Sequence, residues 1–512
     1  MRRSFVLKAM VLSLLVTLPW SGTAQAGRDT DTLEVAFPRN VTTVDGMYTS
    51  RRENDILGLL TDDALFYVDP DQLKVVPLVA RSYELIGDTI LNITIRDDVH
   101  FHDGSLMTVD DVIYSINWAK DPKSKSRQRL RLSKWIKSVT QTGPNQIQIK
   151  MFHPHPLALY DLSYYVKMRK AGHYERAKGA PGPILNGTGP YKIIEFEPAR
   201  TLILTRFDKY RKDGPKGSPE IKNISIRAIS DWATQAAEIL SGGIQWTFQM
   251  PTDIAEDLGS DPRAKLITGP SLRVGFLTMD VVGKTESGSP LRHLKVRQAI
   301  NHAIDRQAIV DHLVRGSSKV VHSACHPFQF GCFTDIQKYE YDPEKAKRLL
   351  AEAGYPNGFA IPLWAARERP VMEVIQHQLG KVGIEVDLRF VMGSALGRAL
   401  KRGQLSMFYN TWGSFSIPDA GAIGPEHWAK ESFRNLSGDP IVERAMELAT
   451  ENYDKEIRMM SFHQAFHRIA EQAYWVPMFA YTMNYVVTPD VDYVPSKDGM
   501  QRLFEVKWKD PQ

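Results

Sequence analysis

The segment 91–119, LNITIRDDVHFHDGSLMTVDDVIYSINWA, constrains this chain more than any other stretch. Leu91, Ile93 and Ile95 alternate with Asn92, Thr94 and Arg96, the period of a strand with one buried face. Asp103-Gly104 supplies turn chemistry, because glycine accepts positive φ without a Cβ clash. Thr108 is placed as a helix N-cap, with Asp110 and Asp111 in the first turn, where carboxylates meet orphan N–H groups and the positive end of the helix dipole. Val109, Val112, Ile113 and Ile116 lie at i, i+3, i+4 and i+7, one apolar stripe. The spacing therefore predicts strand, turn and capped helix, and nothing in it is catalytic. His100 and His102 lie two apart on the predicted strand and share a face, with Asp103 adjoining, an arrangement that can begin a metal site. Two ligands without a third are a weak signal, and an exposed strand end running into a turn is the simpler reading.

Residues 1–26 stand outside the fold argument. Arg2, Arg3 and Lys8 form a positive n-region, 9–18 an apolar core, and Ala24-Gln25-Ala26 a small-x-small site. This reads as a signal peptide cleaved after Ala26, its apolar run too short for a permanent span. No cysteine stands near that point, so a lipid anchor there is not expected, and the product reads as a periplasmic protein that does not itself cross the membrane. The full chain is +5; the first 26 residues carry three of the positive charges and no negative ones, which leaves +2. That balance gives no basis for a nucleic-acid partner. The two cysteines, Cys325 and Cys332, read as a disulfide pinning a loop in an oxidising compartment. The rival reading is a metal site that also uses His322 and His326.

The string RDDVHFHDGSLMTVDDVIYSI closely resembles the sequence mark of the family-5 extracellular solute-binding proteins. These are the peptide, opine and nickel binders that deliver ligands to ABC transporters. NGTGPYKI, KVRQAINHAIDRQAIV, YDPEKAKRLLAEAGYPNGF, LGKVGIEVDL and VPMF follow as further family-like positions, so the resemblance runs from about residue 33 to 489. It implies an α/β fold, the two-lobe periplasmic binding protein (type II) with an extra domain inserted in the first lobe. Carried onto this chain, the first lobe is 27–61, 186–280 and 482–512, the inserted domain 62–185, and the second lobe 281–481. Implied partners are a small-molecule or peptide ligand, the transporter's membrane permease and its ATPase subunits.

The residues agree with an α/β second half. YDPEKAKRLLAEAG carries Asp342 as N-cap, Pro343 at N1 and Gly354 as stop. Beyond it the pattern predicts strand 361–365, helix 370–382, strand 384–391, helix 394–402 and strand 405–412, the alternation of a parallel α/β lobe. A helix is predicted over 56–66, a strand over 272–279 and helical structure over 439–473. Gly187 and Gly189 read as turn residues, since neither a dinucleotide fingerprint nor a Walker loop surrounds them.

Enzyme chemistry has little to stand on. Gly-x-Ser-x-Gly, Ser-x-x-Lys and His-Glu-x-x-His are absent from the sequence. His463, His467 and Glu471 share a helix face, but they flank its apolar stripe and lack a base between the histidines. No cofactor and no resident metal are expected.

Ligands of open α/β sheets bind beyond the carboxyl ends of strands. Two loops qualify: ARERP with Arg367 and Arg369, and TWGSFSIPDAG with Trp412, Ser414, Phe415 and Asp419. The resemblance implies an acidic residue in the second loop, matched by Asp419, and an Arg-Pro in the first, matched by Arg369. Tyr48 and Thr49, ending the loop after the first strand, complete the expected ligand-binding set. Asp419 would take an ammonium, an arginine a carboxylate, and Trp412 and Phe415 the apolar surface.

Overall fold

The computed structural model describes residues 27–49, 51–177, 185–414 and 417–510. The signal-peptide reading and Phe415 lie outside the described residues.

An 11-stranded sheet forms the backbone of the molecule. One end holds Ile384–Phe390, Phe359–Ala365 and Met407–Trp412; the other holds Trp246–Phe248, Thr32–Phe37, Asn223–Ala228, Thr201–Arg206 and Tyr191–Glu197. Between them run two long strands, Lys265–Met279 and Trp475–Val487, antiparallel to each other. Their lower halves pair with each other beside Trp246–Phe248, while residues 274–279 also pair with Met407–Trp412. The pairing slips between Pro270 and Val274, so Ser271, Leu272 and Arg273 sit in an irregularity where the strand passes from one core to the other.

The alternation predicted over 361–412 is present: Phe359–Ala365 pairs in parallel with both Ile384–Phe390 and Met407–Trp412, with helices Arg369–Gly380 and Gly393–Lys401 between. The core beneath is built from Ile300, Leu363, Ile375, Leu379 and Ile384, all fully buried. A second core on the far side uses Leu33, Val35, Ile224, Trp246 and Tyr485.

The opening segment forms part of a separate four-stranded antiparallel sheet, Ala80–Ile86, Ile90–Ile95, Gln146–Met151 and Ile136–Gly143 in spatial order. Helix Val109–Lys120 lies on it, with Thr108 and Asp111 forming a capping box. Val112 and Ile116 are fully buried, each contributing about 1.5–3 kcal/mol. Ile417 and Ala422 from the far lobe pack into this same core. Tyr453 adds a hydroxyl donated to the His155 carbonyl at 3.0 Å, so the two bodies are in contact.

Four expectations are corrected. The strand ends at Ile95, and His100 and His102 part company: His102 contacts the Gly189 carbonyl through Nε2 at 3.0 Å, while His100 meets its own turn at the Asp98 carbonyl. The helix predicted over 56–66 is Arg52–Thr61, because Asp62 to Ala64 leave the helix before a short strand, Phe66–Val68. The helical stretch 439–473 is two helices, Pro440–Thr450 and Lys455–Glu471, divided where Asp454 caps the second. Gly187 and Gly189 serve close approach: a Cβ would fall 1.9 Å from the Thr61 carbonyl and 2.4 Å from the Leu60 carbonyl.

Candidate functional site

The strand Met407–Trp412 ends with Trp412 paired opposite Val274, beside the slip in the crossing strand. Trp412 is half-buried, edge-on to His427 at 5.2 Å. The chain then turns sharply at Ser414, which adopts φ 45 and donates its Oγ to the Ile417 carbonyl at 3.1 Å. Ser414 is 1 % exposed, so its hydroxyl holds the loop in shape.

Asp419 differs from the free carboxylate read in the sequence. Arg458 Nη2 donates to both of its oxygens, at 2.8 and 2.9 Å, and the Gly421 N–H adds a third bond as the carboxylate caps a short helix. Arg458 is itself fixed by the Ala449 carbonyl and lies over the rings of Phe330 and Phe462. Burial pushes the Asp419 carboxyl up, and the Arg458 charge opposes that shift. Both side chains are buried, so this is a desolvated, mutually satisfied pair.

The disulfide braces the same loop. Cys325 and Cys332 are bonded, and the residues between them clasp 417–420. Phe330 bridges Asp419 through backbone bonds with Pro418 and Ala420, and the Gln329 amide donates to the carbonyls of Ile417 and Asp419. Gly331 permits the approach, since a Cβ there would fall 2.1 Å from the Phe462 ring. Thiol titration of the denatured, unreduced protein is expected to find no free thiol; two free thiols would refute the pairing. Replacing both cysteines by serine removes a short closed loop and is expected to cost about 2–3 kcal/mol in chemical denaturation.

The two arginines of ARERP separate. Arg369 begins its helix exposed, stacked over Phe390 at 4.2 Å and 3.7 Å from Glu373. Arg367 lies on the other side, close enough to act electrostatically on Arg273 and on the buried hydroxyls of Tyr409 and Tyr481. Those hydroxyls bond each other at 2.7 Å, and Tyr481 donates to Glu368 at 3.1 Å.

Tyr48 is half-buried, edge-on to Trp118 and Tyr174. Burial, with the Asp45 charge behind it, pushes its hydroxyl up to about 12. Thr49 helps line a small pocket together with Asn54, Asp55, Tyr164, Lys167 and Met500. Burial and then the Lys216 charge bring the Lys167 ammonium down to about 8. Asp55 is pushed up to about 6 by burial, against the pull of Arg52 and Lys167. The turn that carries Tyr48 is held by Arg169, which donates to Asp62 at 2.6 and 3.2 Å and to Asp45 at 3.0 Å, all fully desolvated.

Arg273 and Lys167 were missed in the sequence. A lone arginine inside the apolar run SLRVGFL was a readable signal. Lys167 offered none. Among the described residues no group of three or more His, Cys, Asp or Glu side chains is placed to hold a metal ion. His463 and His467 stack on each other at 3.9 Å beside Phe333. No described helix is long and apolar enough to cross a membrane.

Two cores joined by two crossing strands are the architecture of the periplasmic binding proteins. A dipeptide binding protein from Pseudoalteromonas sp. SM9913, solved with Met-Leu, superposes with a TM-score of 0.81 over 93% of this chain and 100% of that one, at 19% identity. Residues 74–425 match the model of the bacterial extracellular solute-binding proteins, family 5 (middle region), and the chain belongs to that family. Among curated relatives, the glutathione-binding protein GsiB of Salmonella paratyphi A is 26% identical over 463 residues, 87% of this chain and 88% of its own. Heme-binding protein A of Haemophilus influenzae is 27% identical over 477 residues, 84% and 83% of the two chains.

Proposed function

We propose that this protein captures a small peptide or peptide-like metabolite between its lobes and hands it to the membrane permease of an ABC transporter, without making or breaking a bond. The observation that carries this reading is the pair of crossing strands, Lys265–Met279 and Trp475–Val487, that join two separate cores, with the loop after Met407–Trp412 packing Ile417 and Ala422 into the core of the four-stranded sheet. Supporting it are relatives named for glutathione and dipeptide. Export to the periplasm with cleavage after Ala26, and the division into 27–61, 186–280 and 482–512, 62–185, and 281–481, belong to the same proposal. The separate cores support three bodies, with the crossing strand shared between two of them, since Leu277 and Met279 pack in the core of 281–481.

In this reading Asp419 acts within the loop through Arg458, and Ser414 through Ile417. Trp412, Tyr48 and Thr49 supply surface, Arg367 supplies charge, and Arg369 stands further out.

Native mass spectrometry of protein purified from the periplasm is expected to reveal a co-purified small molecule. Its re-addition to stripped protein should raise the melting temperature with concentration, as for any ligand that binds only the folded state. Solution scattering should show a smaller radius of gyration in the saturated protein. A stripped protein that neither melts higher nor contracts with any small peptide overturns the proposal.

A further inference from the structure

We infer that the interlobe site is built for an anionic ligand, a small molecule carrying at least two carboxylate-type groups, gripped by a cluster of arginines centred on Arg273. This rests on the reading of the cleft as the solute site and names the ligand's charge class.

Arg273 sits in the irregularity of the crossing strand, half-buried, with Nη1 donating to the Thr411 hydroxyl at 2.7 Å. Its guanidinium lies across Gly413, where an added Cβ would fall 3.0 Å from Nη2, so the glycine after Trp412 gives the head its berth. Arg52 reaches Met500, next to Gly499, which packs against Ser271. Arg367 follows the strand Phe359–Ala365 that pairs with Met407–Trp412; with Arg39 they repel the Arg273 charge. With burial as the largest cause, this repulsion brings the Arg273 guanidinium down to about 10.

Among the described residues, none of these four arginines forms an ion pair with a carboxylate. Arg52 reaches the Met500 sulfur, and Arg39 and Arg367 are exposed. The acidic groups nearby are Glu368, which accepts from Tyr481, Asp55, pushed up by burial, and the buried Glu53, while Asp419 is held by Arg458. Lys167 adds a further cation on the adjoining pocket.

Arg273 itself is partly buried with no carboxylate partner, which is unfavourable for a permanent cation, and an incoming anion offsets that cost. A guanidinium also presents paired N–H donors that match a carboxylate's two oxygens. Asp419, the carboxylate of the loop after Trp412, is already paired with Arg458. The charge balance therefore selects anions over cations.

The test is calorimetry with three dipeptides differing only in one side chain: Ala-Glu, Ala-Gln and Ala-Lys. Ala-Glu is expected to bind about tenfold more tightly than Ala-Gln, with Ala-Lys weakest, since one hydrogen-bonded charge is at stake. The Glu-over-Gln preference should fall to about twofold or less in Arg273→Gln. Arg367→Gln, on an exposed loop, is the second variant and keeps the test decisive should Arg273→Gln not fold. Equal binding of the three, tighter binding of Ala-Lys, or a preference unchanged in both variants overturns the inference while leaving the solute-binding reading intact.

If none of the three dipeptides binds, the melting temperature in sodium sulfate is compared with that in sodium chloride at equal ionic strength. A rise in sulfate that shrinks in both arginine variants supports the cluster even though the peptide reading has then failed. A rise of equal size in wild type and variants is a general salt effect and overturns it.

Discussion

Arg169→Met is expected to lower the free energy of unfolding by about 3–5 kcal/mol, the usual cost of removing one partner from a buried ion pair. Arg169, Asp62 and Asp45 are all out of solvent, and the guanidinium serves both carboxylates through Nη1 and Nη2. Without it two carboxylates face each other in a dry interior. Asp45 also caps the turn that carries Tyr48, so the damage should reach Tyr48. Urea denaturation checks the first effect and ligand affinity the second. A loss under about 1 kcal/mol would show that the carboxylates find water when the arginine is gone.

Asp419→Asn is expected to cost roughly 3 kcal/mol of stability for the same reason, since it leaves Arg458 charged and buried without its counter-ion. This result separates two roles for one residue. A ligand anchor would lose affinity at unchanged melting temperature, whereas a loop brace loses melting temperature first. Arg458→Met should then resemble Asp419→Asn in stability, and the double replacement should cost less than the sum of the two. Strict additivity in that cycle would reject the pair.

Much of the fold was legible because it obeys local periods. The helix that starts at Pro343 announced itself through Asp342, and the one that starts at Val109 through Thr108 and Asp111. The strands and helices of 359–412 follow from alternating periods of two and 3.6. The crossing strand was read only over 272–279, because Gly269 and Pro270 look like a break. Its partner, which makes the extended pairing worthwhile, lies about two hundred residues later.

The candidate site was legible only in part. Trp412 ends its strand opposite Val274, beside the slip in the crossing strand, and Thr49 lines a separate pocket with Asp55 and Lys167. The partnership of Asp419 with Arg458 could not be read, since Arg458 lies on a helix 39 residues further on and its spacing carries no signal. His102 looked paired with His100 until the strand ended early and turned it toward Gly189.

The slip between Pro270 and Val274 has a mechanical consequence. Below it the crossing strand is zipped to 482–487 and above it to both 475–480 and Met407–Trp412, so each portion is paired throughout and packs against a different core. Bending concentrates where the rungs are missing, and the sheet behaves as two plates sharing a flexure rather than as a pin joint. Arg273 is mounted on that flexure. Any change in tilt between the plates re-aims its head, and any force on its head acts at the compliant point instead of being absorbed in either plate.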